Sequence, residues 1–229
     1  MPAPRPPGDR AGLGRDRGVE EGGLAAGGRS AAADGAWICF EDEAGQGLRP
    51  PRARTWGRRG HTPVVHVRGR GSGRVNIAAL VCYKPGERSR LIYRLHVYRG
   101  RKGEPKTFGW MDYRDLILHA HAQLGAPIVL VWDNLNLHLV PGMKTFAAEH
   151  ADWLTIVQLP AYAPDLNPTE GIWSLLKRGA LANLAAADLP QLVRVIKRAL
   201  KKIQYRAHLI DGCLPPTGLT MRTGGDITN

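Results

Sequence analysis

Residues 127 to 132 read PIVLVW, six apolar residues in a row, and Asp133-Asn134 follow directly. A strand with one wet face alternates apolar and polar side chains. An unbroken apolar run is instead a strand buried on both faces, as in parallel sheets covered by helices. Such a strand ends in an acid only where the chain reaches a surface. In open α/β sheets, ligand sites lie just beyond the carboxyl ends of the strands. Asp133 is therefore a candidate site residue, and the competing reading is an Asp-Asn pair that starts a turn.

The rest of the pattern fits around this strand. Residues 36 to 43 (AWICFEDE) form a short apolar run ending in acids, a first strand. Residues 45 to 60, rich in Pro, Arg and Gly, read as loop or irregular hairpin. Residues 61 to 67 can be extended, with a hairpin turn at Gly69 to Gly73. Arg74 to Tyr83 and Arg90 to Tyr98 are rich in β-branched and aromatic residues, with Lys84-Pro85-Gly86 turning between them. Consecutive strands joined in this way make an antiparallel meander. Trp110 to Leu124 then has helical spacing and stops at Gly125. A helix over Pro141 to His150, a strand over Leu154 to Leu159 and a loop from Pro160 to Leu166 come next. Helices over Pro168 to Gly179 and Leu189 to Arg206 close the pattern, the last with one apolar stripe and a strongly basic remainder. The order β-β-β-α-β-α-β-α-α predicts an α/β fold: a mixed sheet with helices covering it, the layout of a ribonuclease H-like domain.

The ends differ from this middle. Residues 1 to 35 contain 9 Gly, 7 Ala and 4 Pro and too few large apolar side chains to offset chain entropy, which predicts a disordered tail. The catalytic-type domain is expected over 36 to 206, and residues 207 to 229 as a frayed C-terminal segment. No apolar run approaches the ~20 residues that span a bilayer, so no membrane partner is expected. Three scattered cysteines, 39, 82 and 213, make neither a zinc pattern nor a disulfide framework.

The net charge of +12 falls outside the tail, whose five arginines match its five acids. Eight arginines and no acid lie between Arg49 and Arg74. Arginine suits bidentate phosphate contacts, so this stretch is the footprint expected for a nucleic-acid backbone, or else a solvated basic loop.

Two further acids stand beside Asp133 as candidates. Glu170 opens a helix after Asn167-Pro168-Thr169, which can equally be a capping box with Asn167 as N-cap. Among Glu41, Asp42 and Glu43 the strand pattern does not choose, because both faces of that strand are apolar. His138 lies near enough to the Asp133 strand exit to support it, or is a solvated loop histidine.

Taken together, the blocks VWDN at 131 to 134 with His138, LPAYAPDLNPTE at 159 to 170 with Trp173, and FEDE at 40 to 43 with RTWGRRG at 54 to 60 resemble DDE-type transposases. The likeness is to bacterial insertion-sequence enzymes related to the mariner group. It implies a catalytic and metal-binding triad of Asp42, Asp133 and Glu170, supported by Asn134, His138 and Asn167. The cofactor it implies is two Mg²⁺ ions, with Mn²⁺ as a substitute. It further implies double-stranded DNA as substrate, at transposon ends and target, contacted by Arg52, Arg54, Trp56, Arg58 and Arg59. Cleavage followed by strand transfer, a homodimer and a cytoplasmic, nucleoid-associated location are the expectations. Relatives carry helix-turn-helix modules ahead of the catalytic core, and the Gly/Ala/Arg tail is not one. The expectation is thus a catalytic domain working with an upstream helix-turn-helix protein, or an inactive DNA-binding remnant or inhibitor of a full-length transposase. A structure-selective nuclease that does not transpose is a further alternative.

Overall fold

A computed structural model describes residues 35–67, 73–133, 140–160, 163–221 and 227–228. Five strands form one sheet: β1 (Trp37–Gly47), β2 (Arg74–Tyr83), β3 (Arg90–Tyr98), β4 (Ile128–Trp132) and β5 (Leu154–Gln158), in the order β3-β2-β1-β4-β5. β1, β2 and β3 pair antiparallel, and β4 pairs parallel with both β1 and β5. This is the mixed ribonuclease H-like sheet expected from the element order.

Alternation along the strands divides the core in two. Trp37, Cys39, Leu80, Leu130 and Trp132 face α1 (Trp110–Leu124) and α2 (Pro141–Glu149), which bring Tyr113, Leu116, Ile117, Met143 and Phe146. Ile38, Phe40, Val81, Val129 and Val131 face the other way. That face is covered by α3 (Thr169–Arg178), α4 (Leu189–Gln204) and α5 (Ala207–Asp211). All five residues of β4 are buried, as its unbroken apolar run requires. α4 lays Leu192, Ile196, Leu200 and Ile203 against the sheet. Each such burial contributes about 1.5–3 kcal/mol. Its basic side chains are left outward, and its first turn is capped by Asp188, which accepts from the Gln191 N–H at 2.7 Å.

Three expectations change. β1 runs to Gly47, not Glu43, because β2 offers backbone partners along its whole length, from Ile38↔Tyr83 to Gly47↔Arg74. Ladder bonding thereby overrides the poor strand propensity of Ala44-Gly45-Gln46-Gly47. Residues 61–67 form no strand: both edges of β2 are already taken by β1 and β3, so the segment stays exposed and irregular. The hairpin turn expected at Gly69 to Gly73 lies mostly outside the described residues, as does the whole tail before Gly35. The segment from 207 is not frayed over its first part, and the fold continues past Arg206. Ile210, Cys213, Leu214 and Leu219 are core residues, and the Tyr83 hydroxyl donates to the Ile210 carbonyl at 2.9 Å. Gly171 marks how closely this segment meets α3, since a Cβ there would stand 2.8 Å from Cys213. A five-residue helix has no periodicity to read in sequence, and tertiary burial alone holds it. Among the described residues, no helix is long and apolar enough to cross a membrane.

Candidate active site

The three consecutive acids of β1 separate by alternation. Glu41 is buried on the α1 side. Glu43 turns to that side too, its carboxylate accepting from the Tyr113 hydroxyl at 2.7 Å and from the Thr107 hydroxyl at 2.5 Å. Asp42 faces α3. There the Trp173 indole N–H donates to its Oδ2 at 2.8 Å, and the Glu43 backbone N–H donates to its Oδ1 at 2.9 Å. The side chain is fixed from two directions.

The start of α3 is bolted to the same stretch of β1. The Asn167 side chain donates to the Glu41 carbonyl at 2.9 Å, and the Thr169 hydroxyl donates to the Phe40 carbonyl at 3.1 Å. Asn167 Oδ1 also accepts from the Thr169 N–H at 3.0 Å, so Asn167 caps the helix as its residue type suggests. The reciprocal half of a capping box is not made, because the Asn167 N–H donates to the Pro164 carbonyl at 3.0 Å. Glu170 is thus exposed at the helix N-terminus and near enough for its charge to act on Asp42. Asn167 and Thr169 are both buried, which makes this junction a rigid one.

Asp133 follows β4. The parallel ladder ends with Phe40 opposite Val131, so Asp42 and Asp133 each lie two residues beyond the last paired position. Adjacent strands lie about 4.8 Å apart. Asp133 is exposed, and its charge also reaches the Tyr113 hydroxyl. Asn134 and His138 lie outside the described residues.

Burial holds the proton on Asp42, raising its pKa from 3.8 to about 7. The Trp173 bond opposes this, while the negative charges of Glu41 and Glu170 add to it. Tyr113 is likewise held protonated, by burial and by the charges of Glu41, Glu43 and Asp133. Repulsion among acids at one sheet edge is relieved by a cation, and all the donors offered are hard carboxylate oxygens. That set suits Mg²⁺ or Mn²⁺ and lacks the nitrogen and sulfur that favour zinc. Among the described residues, no three His, Cys, Asp or Glu side chains stand close enough together to hold a metal ion between them. Ligands of this kind leave room for metal-bound water and for substrate oxygens.

The arginines expected to touch DNA are all at the surface. Arg52, Arg54, Arg58 and Arg59 are exposed on the irregular segment after β1, and Trp56 is fully exposed. The root of the segment is clamped by Asn183, a residue that drew no notice in sequence. Its amide exchanges two hydrogen bonds of 3.0 Å with the Ala53 backbone, and its N–H donates to the Pro51 carbonyl at 3.1 Å. Asn183 has φ 54°, the left-handed conformation that asparagine tolerates better than most residues. Trp173 and Asn183 are the residues whose structural parts sequence reasoning misses. Trp173 is marked in sequence by its place in the block shared with the transposases, which does not reveal its bond to Asp42.

Residues 37–193 match the family model described as DDE superfamily endonuclease. Among curated proteins, the uncharacterized protein y4pE/y4sA of Sinorhizobium fredii (strain NBRC 101917 / NGR234) is 32% identical over 69 residues, 30% of this chain and 47% of that protein. The match therefore spans about half of that relative's length. The fold is similar to the mariner Mos1 paired-end complex with Mg, with TM-score 0.58 and 15% identity over 100% of this chain and 69% of that one. The Mos1 transposase paired-end complex with left transposon end gives TM-score 0.53 and 15% identity, covering 93% and 68% of the two chains. The Mos1 complex with Mn gives 0.51 and 14%, also over 93% and 68%. At such identities the likeness is one of fold.

Proposed function

The chain belongs to the DDE superfamily endonuclease family, and from that premise we propose that it is the catalytic domain of a transposase, cutting DNA at transposon ends and joining the freed ends to target DNA. The observation that carries this reading is the convergence of β1, β4 and α3. Asp42 and Asp133 each follow the last paired position of β1 and β4, and the Asn167 and Thr169 bonds to β1, with the Trp173 bond to Asp42, tie the start of α3, which carries Glu170, to the same stretch of β1. The Mos1 structures of like fold are complexes with a transposon end and with Mg or Mn, which supports both the substrate class and the cofactor.

Asp42, Asp133 and Glu170 are the residues that would hold two Mg²⁺ ions, with Mn²⁺ as substitute. When bound, such a pair would activate the attacking water or hydroxyl and stabilise the leaving 3′-oxygen. The chain's own groups do the positioning. Trp173 keeps one Asp42 oxygen engaged, so the carboxylate presents a defined edge. Glu170 extends from the helix N-terminus, where the backbone dipole favours negative charge. Arg52, Arg54, Arg58 and Arg59, with Trp56, bind the DNA backbone on the segment that Asn183 anchors. Such contacts position DNA and carry little sequence preference. Two copies acting on paired ends, in a cytoplasmic, nucleoid-associated setting, complete the reading.

The test is an end-labelled duplex carrying the element's terminal repeat, incubated with protein and Mg²⁺ beside an unlabelled target. The expected products carry 3′-hydroxyl ends and become joined to the target. Cleavage without joining would reduce the reading to a nuclease, and inertness with Mg²⁺ and Mn²⁺ alike would refute it.

A further inference from the structure

Beyond Glu170, the outward face of α3 continues into a groove. Ser174 and Arg178 follow at spacings of four and eight residues, so they stand in one row above Glu170. The row is about 12 Å long at 1.5 Å per residue. The opposite wall is α5 and the turn after it, with His208, Gly212 and Thr217 lining a cavity of about 740 Å³. The same cavity holds Asp165 beside Glu170, so its acids gather at one end, while Arg178 lies two turns further on.

A second cavity of about 310 Å³ opens between α3 and α4 and shares two wall residues, Leu175 and Leu209, with the first. Its cations are Arg198 and Lys202. The two cavities adjoin at these residues. Together they line a surface that begins at Asp165 and Glu170, passes Arg178 and ends at Arg198 and Lys202 on α4. Arg178, Arg198 and Lys202 are all exposed. Among the described residues, the ion pairs are made by Arg94, Arg99 and Arg114 instead, so these three charges are not neutralised by an acid. Leu175 and Leu209 give this surface an apolar floor on which sugars and bases can lie.

A surface with acids at its head and spaced cations along its length suits a polyanion that reacts at one end. Twelve ångströms correspond to about three to four nucleotide steps at the 3.4 Å rise of one B-form strand. We propose that this groove holds the DNA strand leading away from Glu170, with Arg178 binding a phosphate about three to four nucleotides from the reacting bond and Arg198 and Lys202 binding phosphates further along. The assignment rests on the nuclease reading of Asp42, Asp133 and Glu170, and it adds a backbone-binding site separate from the Arg52–Arg59 segment.

The test compares two triple variants in chelator, where no cleavage occurs, by fluorescence anisotropy of a labelled duplex at several salt concentrations. R178A/R198A/K202A removes the groove cations. K84A/R90A/K144A removes the same charge from surface outside the groove. Each phosphate that the protein no longer neutralises lowers the slope of log affinity against log salt by about 0.9. The groove variant is expected to drop by about 2 to 3 in slope and the other variant by less than 1. R178K/R198K, which retains all three charges, is expected to keep the wild-type slope, and thermal midpoints check that all variants fold. Equal slopes for the two triple variants, or an unchanged slope in the groove variant, would overturn the proposal. Mg²⁺-dependent nicking by the wild type is measured on the same preparation. Its absence alongside the predicted slopes would refute the nuclease reading and leave the groove standing as a DNA site.

Discussion

Replacing Asp42 with Asn stabilises the metal-free protein at neutral pH, although it removes a residue at the heart of the candidate site. The carboxyl's pKa is raised from 3.8 to about 7, first by burial and then by its acidic neighbours. The folded state therefore binds the Asp42 proton more tightly than the unfolded chain does. Below pH 4 both states are protonated and the shift has no effect. Between pH 4 and 7 the unfolded chain releases its proton first, so stability falls as pH rises, and the full cost is present above pH 7. A rise of this size corresponds to about 4 kcal/mol, and water at the open edge of the site reduces it to about 2–4 kcal/mol. The amide introduced by D42N is uncharged throughout, and its oxygen can still accept from Trp173. In chelator, D42N should melt slightly below wild type near pH 4, because its amide keeps the Trp173 bond and gives up the one from the Glu43 N–H. The variant should melt about 5–15 °C higher near pH 8, given 2–4 °C per kcal/mol for a domain of this size. Added Mg²⁺ should raise the wild-type midpoint and leave D42N nearly unmoved. A D42N protein that melts below wild type at pH 8 in chelator would refute the claim that burial, helped by the neighbouring acids, disfavours the charged Asp42 carboxylate.

Other outcomes follow from the same contacts. W173F deletes the donor to Asp42 from a buried position, so it should cost about 1–3 kcal/mol in denaturant unfolding and raise the Mg²⁺ concentration needed for half-maximal cleavage. An unchanged Mg²⁺ requirement would remove Trp173 from the site. N183G keeps the left-handed backbone while deleting both side-chain bonds to Ala53, so trypsin should cut among Arg54, Arg58 and Arg59 faster at nearly unchanged global stability. Equal cutting rates would show that the clamp does not hold the segment.

How far the molecule is legible in sequence depends on whether a signal is local. The unbroken PIVLVW run marks β4 and its buried position, and the stripe of α4 marks the covered face. Asp133 stands out because an acid closes that run. Asp42 does not, since both faces of β1 are apolar and only the sheet's partners tell them apart. Glu170 looks like a helix cap because its spacing from Asn167 is right for one. The competing partner, the Pro164 carbonyl, comes from a 3-10 turn that only the folded chain displays. Residues 207–219 look frayed because their burial depends on distant neighbours such as Tyr83 and Gly171. Asn183 gives no signal at all, as its bonds reach across 130 residues.

The central claim is that three acids work together on DNA. Its most direct test is single-turnover nicking by D133N beside wild type, at protein concentrations where anisotropy shows the duplex equally bound. Asn has nearly the same shape as Asp and lacks the charge, so binding should survive. Cleavage with Mg²⁺ should fall by about a thousandfold or more, the scale seen when one preorganised charge-stabilising group is lost. Nicking within a few-fold of wild type at matched occupancy would contradict the assignment of Asp133, and with it the carboxylate edge as the place where DNA is cut.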